Sequence, residues 1–131
     1  MGRFLFVVPP LEGHTNPTVA VGRELMCRGH EVGWTGYPEV TPALLPAGAA
    51  FIPVADRAPR AVVDALAVRS LAPPTGAAGF RSFWEEFVLP IGRDMVPGTA
   101  LAVQAFAPDV VVADQHALAG GVGQAHRIAM A

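Results

Sequence analysis

The sequence predicts an α/β protein with a doubly wound parallel sheet, and three observations carry that reading. The chain opens on an unbroken apolar run, Arg3-Phe-Leu-Phe-Val-Val8, halted by two prolines. A run without polar alternation suits a strand buried on both faces, as parallel strands are. Between residues 3 and 54 the pattern alternates strand, helix, strand, helix, strand, which is the order that builds a parallel sheet. A second buried strand, Asp109 to Ala113, reads late in the chain.

Each element has its own justification. After Val8, Leu11 to Asn16 reads as a loop, and Asn16-Pro17 as an N-cap with proline at the first helical position. The helix is expected from Pro17 to Arg28, with Val19, Gly22, Leu25 and Met26 inward and Arg23, Glu24, Cys27 and Arg28 outward. Gly29 is its C-terminal stop. Glu31 to Gly36 is the second strand, Pro38 to Leu45 a short helix closed by Pro46, and Ala50 to Val54 the third strand. Arg60 to Leu71 reads as a helix with Val62, Val63, Leu66 and Val68 inward. Ala72 to Gly79 is rich in Pro and Gly and reads as a loop. Phe80 to Phe106 is helical, with a kink or break expected at Pro90 and Pro97. Asp109 to Ala113 is the next strand. Ala117 to Met130 reads as a helix weakened by Gly120, Gly121 and Gly123. A strand should follow it and none is readable, so the sheet is expected to be incomplete at its C-terminal end.

Composition narrows the function. The 131 residues suit one domain. Apolar residues make up 52% and charged residues 15%, against roughly 25% charged in a typical chain. That excludes disorder and leaves apolar surface for a ligand, a partner or a further domain. A net charge of −2 argues against nucleic acid as a partner. All nine basic residues are Arg, so neither a P-loop kinase nor a Schiff-base enzyme is possible here. The lone Cys27 excludes an internal disulfide and a Cys-rich zinc site. The apolar run at Phe4–Val8 is too short for a signal peptide or a transmembrane segment. A cytoplasmic protein is the expectation.

In open parallel sheets, ligands bind beyond the carboxyl ends of the strands. Two such ends carry polar residues: Glu12-Gly-His14-Thr-Asn-Pro17 after the first strand, and Asp114-Gln-His116 after the fourth. Neighbouring strand ends would bring His14 and Asp114 into hydrogen-bond reach. A histidine backed by a carboxylate is a poised general base, since its pKa starts near 6.5. A loop histidine bonded to backbone is the alternative for His14. His116 lies beside the same site, whereas His30 reads as a helix-to-strand turn residue. A single glycine, Gly13, in the first loop argues against a dinucleotide cofactor. A metal site from His14, His116 and Asp114 has no support in their spacing, so none is expected. Phe80, Phe83, Trp84, Phe87 and Val88 follow helical spacing and divide between a core face and an apolar wall for a ligand.

Phe-Val-Val-Pro-Pro-Leu-Glu-Gly-His14-Thr-Asn-Pro17, a helix ending Arg-Gly-His30-Glu-Val, and the later Val-Val-Ala-Asp114-Gln resemble GT-B glycosyltransferases. The similarity is to the bacterial, macrolide-type branch that glycosylates natural products from nucleotide sugars. It spans nearly the whole chain and is least diagnostic over residues 57–106. The resemblance implies the Rossmann-like N-terminal, acceptor-binding half of a two-domain enzyme that inverts the anomeric centre without a cofactor or a required metal. It implies His14 as the base and Asp114 as the carboxylate that orients it. It places Leu11, Thr15, Phe80, Phe83, Trp84, Phe87 and His116 around an apolar small-molecule acceptor. The nucleotide-diphosphate sugar would be held mainly by a C-terminal donor domain whose diphosphate-gripping motif is absent here. The chain as it stands is therefore not expected to transfer sugar by itself.

Overall fold

A computed structural model describes residues 1–71, 75–121 and 128–130. Its five strands are β1 (Arg3–Val7), β2 (Glu31–Gly36), β3 (Ala50–Pro53), β4 (Val110–Ala113) and β5 (Ile128–Met130). They form one sheet in the order β3-β2-β1-β4-β5, with every neighbouring pair parallel. The chain winds outward from β1 to β3, then returns to the other side of β1 for β4. The switch of direction therefore falls between β1 and β4, where a doubly wound sheet opens its ligand crevice.

Helices α1 (Glu12–Cys27) and α5 (Leu89–Phe106) cover opposite faces of the sheet. The alternation along β1 sorts its side chains between them. Phe6 and Val8 pack with Val32 and Trp34 beneath Leu25 and Met26 of α1. Leu5 and Val7 join Val111, Ile91, Met95 and Phe106 on the α5 side. Leu5 through Val8 are all buried, as the unbroken apolar run predicts. Trp34 stacks on Phe6 at 5.2 Å and donates its indole N–H to Thr18 Oγ1 at 2.9 Å. Helix α1 lies so close that a Cβ at Gly22 would sit 2.3 Å from the Trp34 ring.

Several expectations change. Helix α1 begins at Glu12, ahead of Pro17, with Leu11 as an extended N-cap that contributes no capping side chain. Pro17 sits inside the helix and leaves the Gly13 carbonyl without its helical donor. Val19 and Gly22 are buried, Leu25 and Met26 half-buried, and Arg23, Glu24, Cys27 and Arg28 exposed, as expected. Gly29, at φ +82°, ends the helix in the left-handed conformation. A short α2 (Thr41–Leu44) precedes β3.

Helix α3 (Arg60–Leu71) buries Val62, but Val63 is exposed, contrary to expectation. The side chains of Leu66 and Val68, expected inward, lie outside the described residues, as do residues 72–74. Gly76–Gly79 are helical rather than loop, forming the start of α4 (Gly76–Phe83). From there the chain stays helical to Phe106, through a wide π-type turn at Trp84–Val88 and then α5. Pro90 falls at the start of α5, immediately after the turn in which Leu89 N–H reaches back to Trp84 O. The missing proline donor thus coincides with the change of hydrogen-bond register. Pro97 does not break α5; it is exposed and forfeits one helical bond. Next to it, Gly98 lets α5 approach the backbone of Val54, where a Cβ would come within 1.8 Å of the carbonyl oxygen.

After β4 a single turn of 3-10 helix covers Leu118–Gly121. Ile128–Met130 then form β5 beside β4, instead of the end of a helix. The expected absence of a further strand is thereby corrected: pairing with the open edge of β4 outweighs the helical leaning of an Ala- and Gly-rich segment.

Candidate functional site at the ends of β1 and β4

Strand pairing positions both halves of the site. Val7 pairs with Ala113, and Asp114 N–H donates to Val7 O at 3.0 Å, which fixes Asp114 at the carboxyl end of β4. On the other side of the crevice, β1 passes through Pro9 and Pro10 into α1, whose first turn carries His14. His14 N–H and Thr15 N–H both reach Leu11 O, at 3.1 and 3.0 Å. This early helix start holds His14 on a rigid element rather than in a loop.

The two side chains meet. His14 Nδ1 lies 2.9 Å from Asp114 Oδ2, across a separation of 100 residues. The other carboxylate oxygen, Oδ1, accepts the main-chain N–H of His116 at 2.8 Å, and Ala117 N–H closes the turn on Asp114 O at 2.9 Å. This is the turn an Asp makes when its side chain bonds the backbone two residues on. Both oxygens of Asp114 are therefore directed, one to each side of the site. The His14 side chain keeps 29% of its exposure and Asp114 16%, so the pair is sheltered but reachable. A cavity of about 320 Å³, lined by Gly13, Pro17, Val112 and Gln115, opens beside them.

His116 joins the pair to an aromatic wall. Its ring lies 4.6 Å from that of His14 and edge-on to Phe83 at 5.2 Å, with Trp84 at 6.4 Å. Phe83 and Trp84 are adjacent in sequence, where α4 meets the wide turn, and both reach one imidazole. Phe80 is 67% exposed and 6.1 Å from Trp84, extending the wall outward.

Two residues expected at a ligand surface sit elsewhere. Phe87 has no exposed area; it stacks on Phe83 at 5.4 Å within the core under α5. Thr15 is fully buried too, and its hydroxyl is spent on Leu11 O at 3.1 Å. Helical spacing places Phe87 one turn beyond Phe83 without saying how far the helix face sinks. Leu11 is half-buried, packing against the same core. His30 is a turn residue, accepting from Gly2 N–H at 3.0 Å.

One arrangement has no signal in the sequence. Tyr37, just past β2, is fully buried and donates its hydroxyl to Asp94 of α5. Burial, reinforced by the Asp94 carboxylate, pushes the phenol well above its ordinary value of 10.0.

Among the described residues no helix is long and apolar enough to cross a membrane. No protein-family model matches the chain, and no curated protein matches it. Solved structures do. The chain superposes on the Streptomyces sp. SF2575 glycosyltransferase SsfS6 with a TM-score of 0.73 at 20% identity, over 99% of its own length and 39% of that chain. The glycosyltransferase SnogD from Streptomyces nogalater matches with a TM-score of 0.72 at 22% identity, over 99% and 33%. The spinosyn rhamnosyltransferase SpnG, complexed with spinosyn aglycone, matches with a TM-score of 0.67 at 26% identity, over 99% and 34%. The chain thus spans between a third and two fifths of the length of these three enzymes. Its fold is the Rossmann-like N-terminal half of the GT-B fold, as bacterial natural-product glycosyltransferases have it.

Proposed function

We propose that this chain is the acceptor-binding, base-supplying part of an inverting glycosyltransferase that acts in the cytoplasm on an apolar, hydroxyl-bearing natural product. The observation that carries the reading is the 2.9 Å contact between His14 Nδ1 and Asp114 Oδ2 at the switch point of the sheet. With its Nδ1–H donated to Asp114, His14 presents an unprotonated Nε2. That nitrogen takes the acceptor hydroxyl proton while the oxygen attacks the anomeric carbon of a nucleotide sugar. The new C–O bond forms as the sugar–phosphate bond breaks, and the electron pair leaves with the nucleoside diphosphate. A neutral alcohol is a weak nucleophile, and a positioned base contributes about 10²–10⁴-fold. Asp114 stabilises the imidazolium that results. A donor-binding half, covalent or separate, holds the nucleotide sugar. Phe80, Phe83, Trp84 and His116 face the apolar acceptor.

A second reading, a non-catalytic binding module, draws on a smaller cavity of about 220 Å³ between Pro10, Glu39, Val40, Ala58, Val62 and Val63. Its lining is almost wholly apolar and does not include His14. One experiment separates the two. The chain is joined to the donor half of a relative such as SnogD, and sugar transfer to a panel of polyketide and aromatic alcohols is measured. Transfer that collapses in His14→Ala, with an unchanged circular dichroism spectrum, supports the enzyme reading. Ligand binding indifferent to His14, with no transfer, supports the module.

A further inference from the structure

We infer that His116 is a specificity-determining residue of the acceptor site: its Nε2–H donates to a carbonyl oxygen that the acceptor carries a few atoms from the hydroxyl to be glycosylated. The inference rests on the reading of this chain as an acceptor-binding half and names the polar feature of that acceptor.

Proton counting leads there. A carboxylate only accepts, so the 2.9 Å contact between Asp114 Oδ2 and His14 Nδ1 requires a His14 proton on Nδ1. His116 Nδ1 faces that same nitrogen at 3.4 Å. A second N–H there would set two donors against each other. Its other approach, to Asp114 Oδ1 at 3.8 Å, is too long for a hydrogen bond. That oxygen already accepts the His116 main-chain N–H at 2.8 Å. His116 Nδ1 therefore presents its lone pair to the His14 N–H. A neutral imidazole has a single N–H, so that of His116 is on Nε2. Among the described residues no group accepts it.

The setting makes this donor discriminating. Edge contacts with Phe83 at 5.2 Å and Trp84 at 6.4 Å hold the His116 ring in the aromatic wall. Its side chain keeps 19% of its exposure. An apolar skeleton laid against that wall strips water from Nε2–H. Unless the skeleton supplies an oxygen, the desolvated donor is left unpaired, which weakens binding by roughly 5–100-fold. A carbonyl oxygen answers it, with two lone pairs and no proton of its own. The His116 ring lies 4.6 Å from that of His14, so the carbonyl and the reacting hydroxyl stand near each other on one edge of the acceptor. The pair of His14 and Asp114 is left intact, and His14 Nε2 remains free for the hydroxyl.

The test uses the chain itself, without a donor half. Long-range nitrogen–proton spectra are expected to show the His116 proton on Nε2 and the His14 proton on Nδ1. The probes are 2-hydroxyanthraquinone, whose ketone stands a few atoms from its hydroxyl, and 2-hydroxyanthracene, which has no ketone. The ketone-bearing probe is expected to bind roughly 5–100-fold more tightly. That preference is expected to vanish in His116→Phe, which keeps an aromatic ring and removes the donor. A His116 proton on Nδ1, equal affinities for the two probes, or a preference that survives His116→Phe would overturn the proposal and leave the acceptor-binding reading standing. Failure of both probes to bind would overturn that reading, and the proposal with it.

Discussion

The main-chain N–H of His116 donates to Asp114 Oδ1 at 2.8 Å, on the oxygen opposite the one that meets His14. The carboxylate is therefore oriented by the turn that follows β4 as well as by its contact with His14. An orienting group that is itself held adds precision, because the cost of placing it is met during folding and not at the moment of reaction.

The aromatic residues after Gly79 divide by burial, and substitution should expose the division. Phe87→Ala removes a wholly buried ring and is expected to cost about 3–5 kcal/mol of stability. Phe80→Ala trims a ring that is 67% exposed, so its stability should stay within about 0.5 kcal/mol of the parent. Urea unfolding of the two variants measures both, and equal losses would contradict the division.

Gly98 is required by contact rather than by backbone conformation. A Cβ there would lie 1.8 Å from the Val54 carbonyl oxygen, against main chain that cannot rotate away. Gly98→Ala is expected to destabilise by about 1–3 kcal/mol or more, even though alanine favours a helix interior over glycine by about 1 kcal/mol. A denaturation midpoint at or above the parent's would show that α5 and the chain after β3 are further apart.

Tyr37 gives a pH dependence whose sign follows from its environment. Its phenol is pushed up in the folded chain, first by burial and then by Asp94. Above the ordinary value of 10.0 the unfolded chain releases this proton while the folded chain keeps it. Stability from this group is therefore full below pH 10 and falls as the pH rises beyond it, by about 1.4 kcal/mol per pH unit. Tyr37 is the only tyrosine, so phenolate absorbance reports it alone. The absorbance should appear together with loss of helical circular dichroism, and titration in an intact fold would contradict the prediction. Tyr37→Phe should lose stability less steeply over the same range.

Much of this architecture is legible in the residues. Buried runs such as Leu5–Val8 have no polar position to confuse their reading, and the inward face of α1 follows from Val19 and Gly22 at helical spacing. The strand-end rule by itself places His14 and Asp114 side by side. Other features were hidden for physical reasons. Asn16-Pro17 imitates a helix start, while the actual N-cap, Leu11, offers no side-chain signal. The wide turn at Trp84–Val88 depends on where Pro90 withholds a donor, which periodicity does not encode. Strand β5 exists through its pairing with β4, a tertiary contact. The second hold on Asp114 comes from a backbone N–H, which no residue identity announces.

On the proposed function, His14 and Asp114 act as one unit in proton transfer. A double-mutant cycle on the chain joined to a donor half measures it most directly. His14→Ala is expected to lower transfer by about 10²–10⁴-fold, and Asp114→Asn to lower it by a comparable factor through loss of orientation and charge. If the two act together, the double variant is no slower than His14→Ala alone, because the carboxylate has nothing left to orient. Penalties that multiply in the double variant, or full transfer in His14→Ala, would contradict a coupled base and carboxylate.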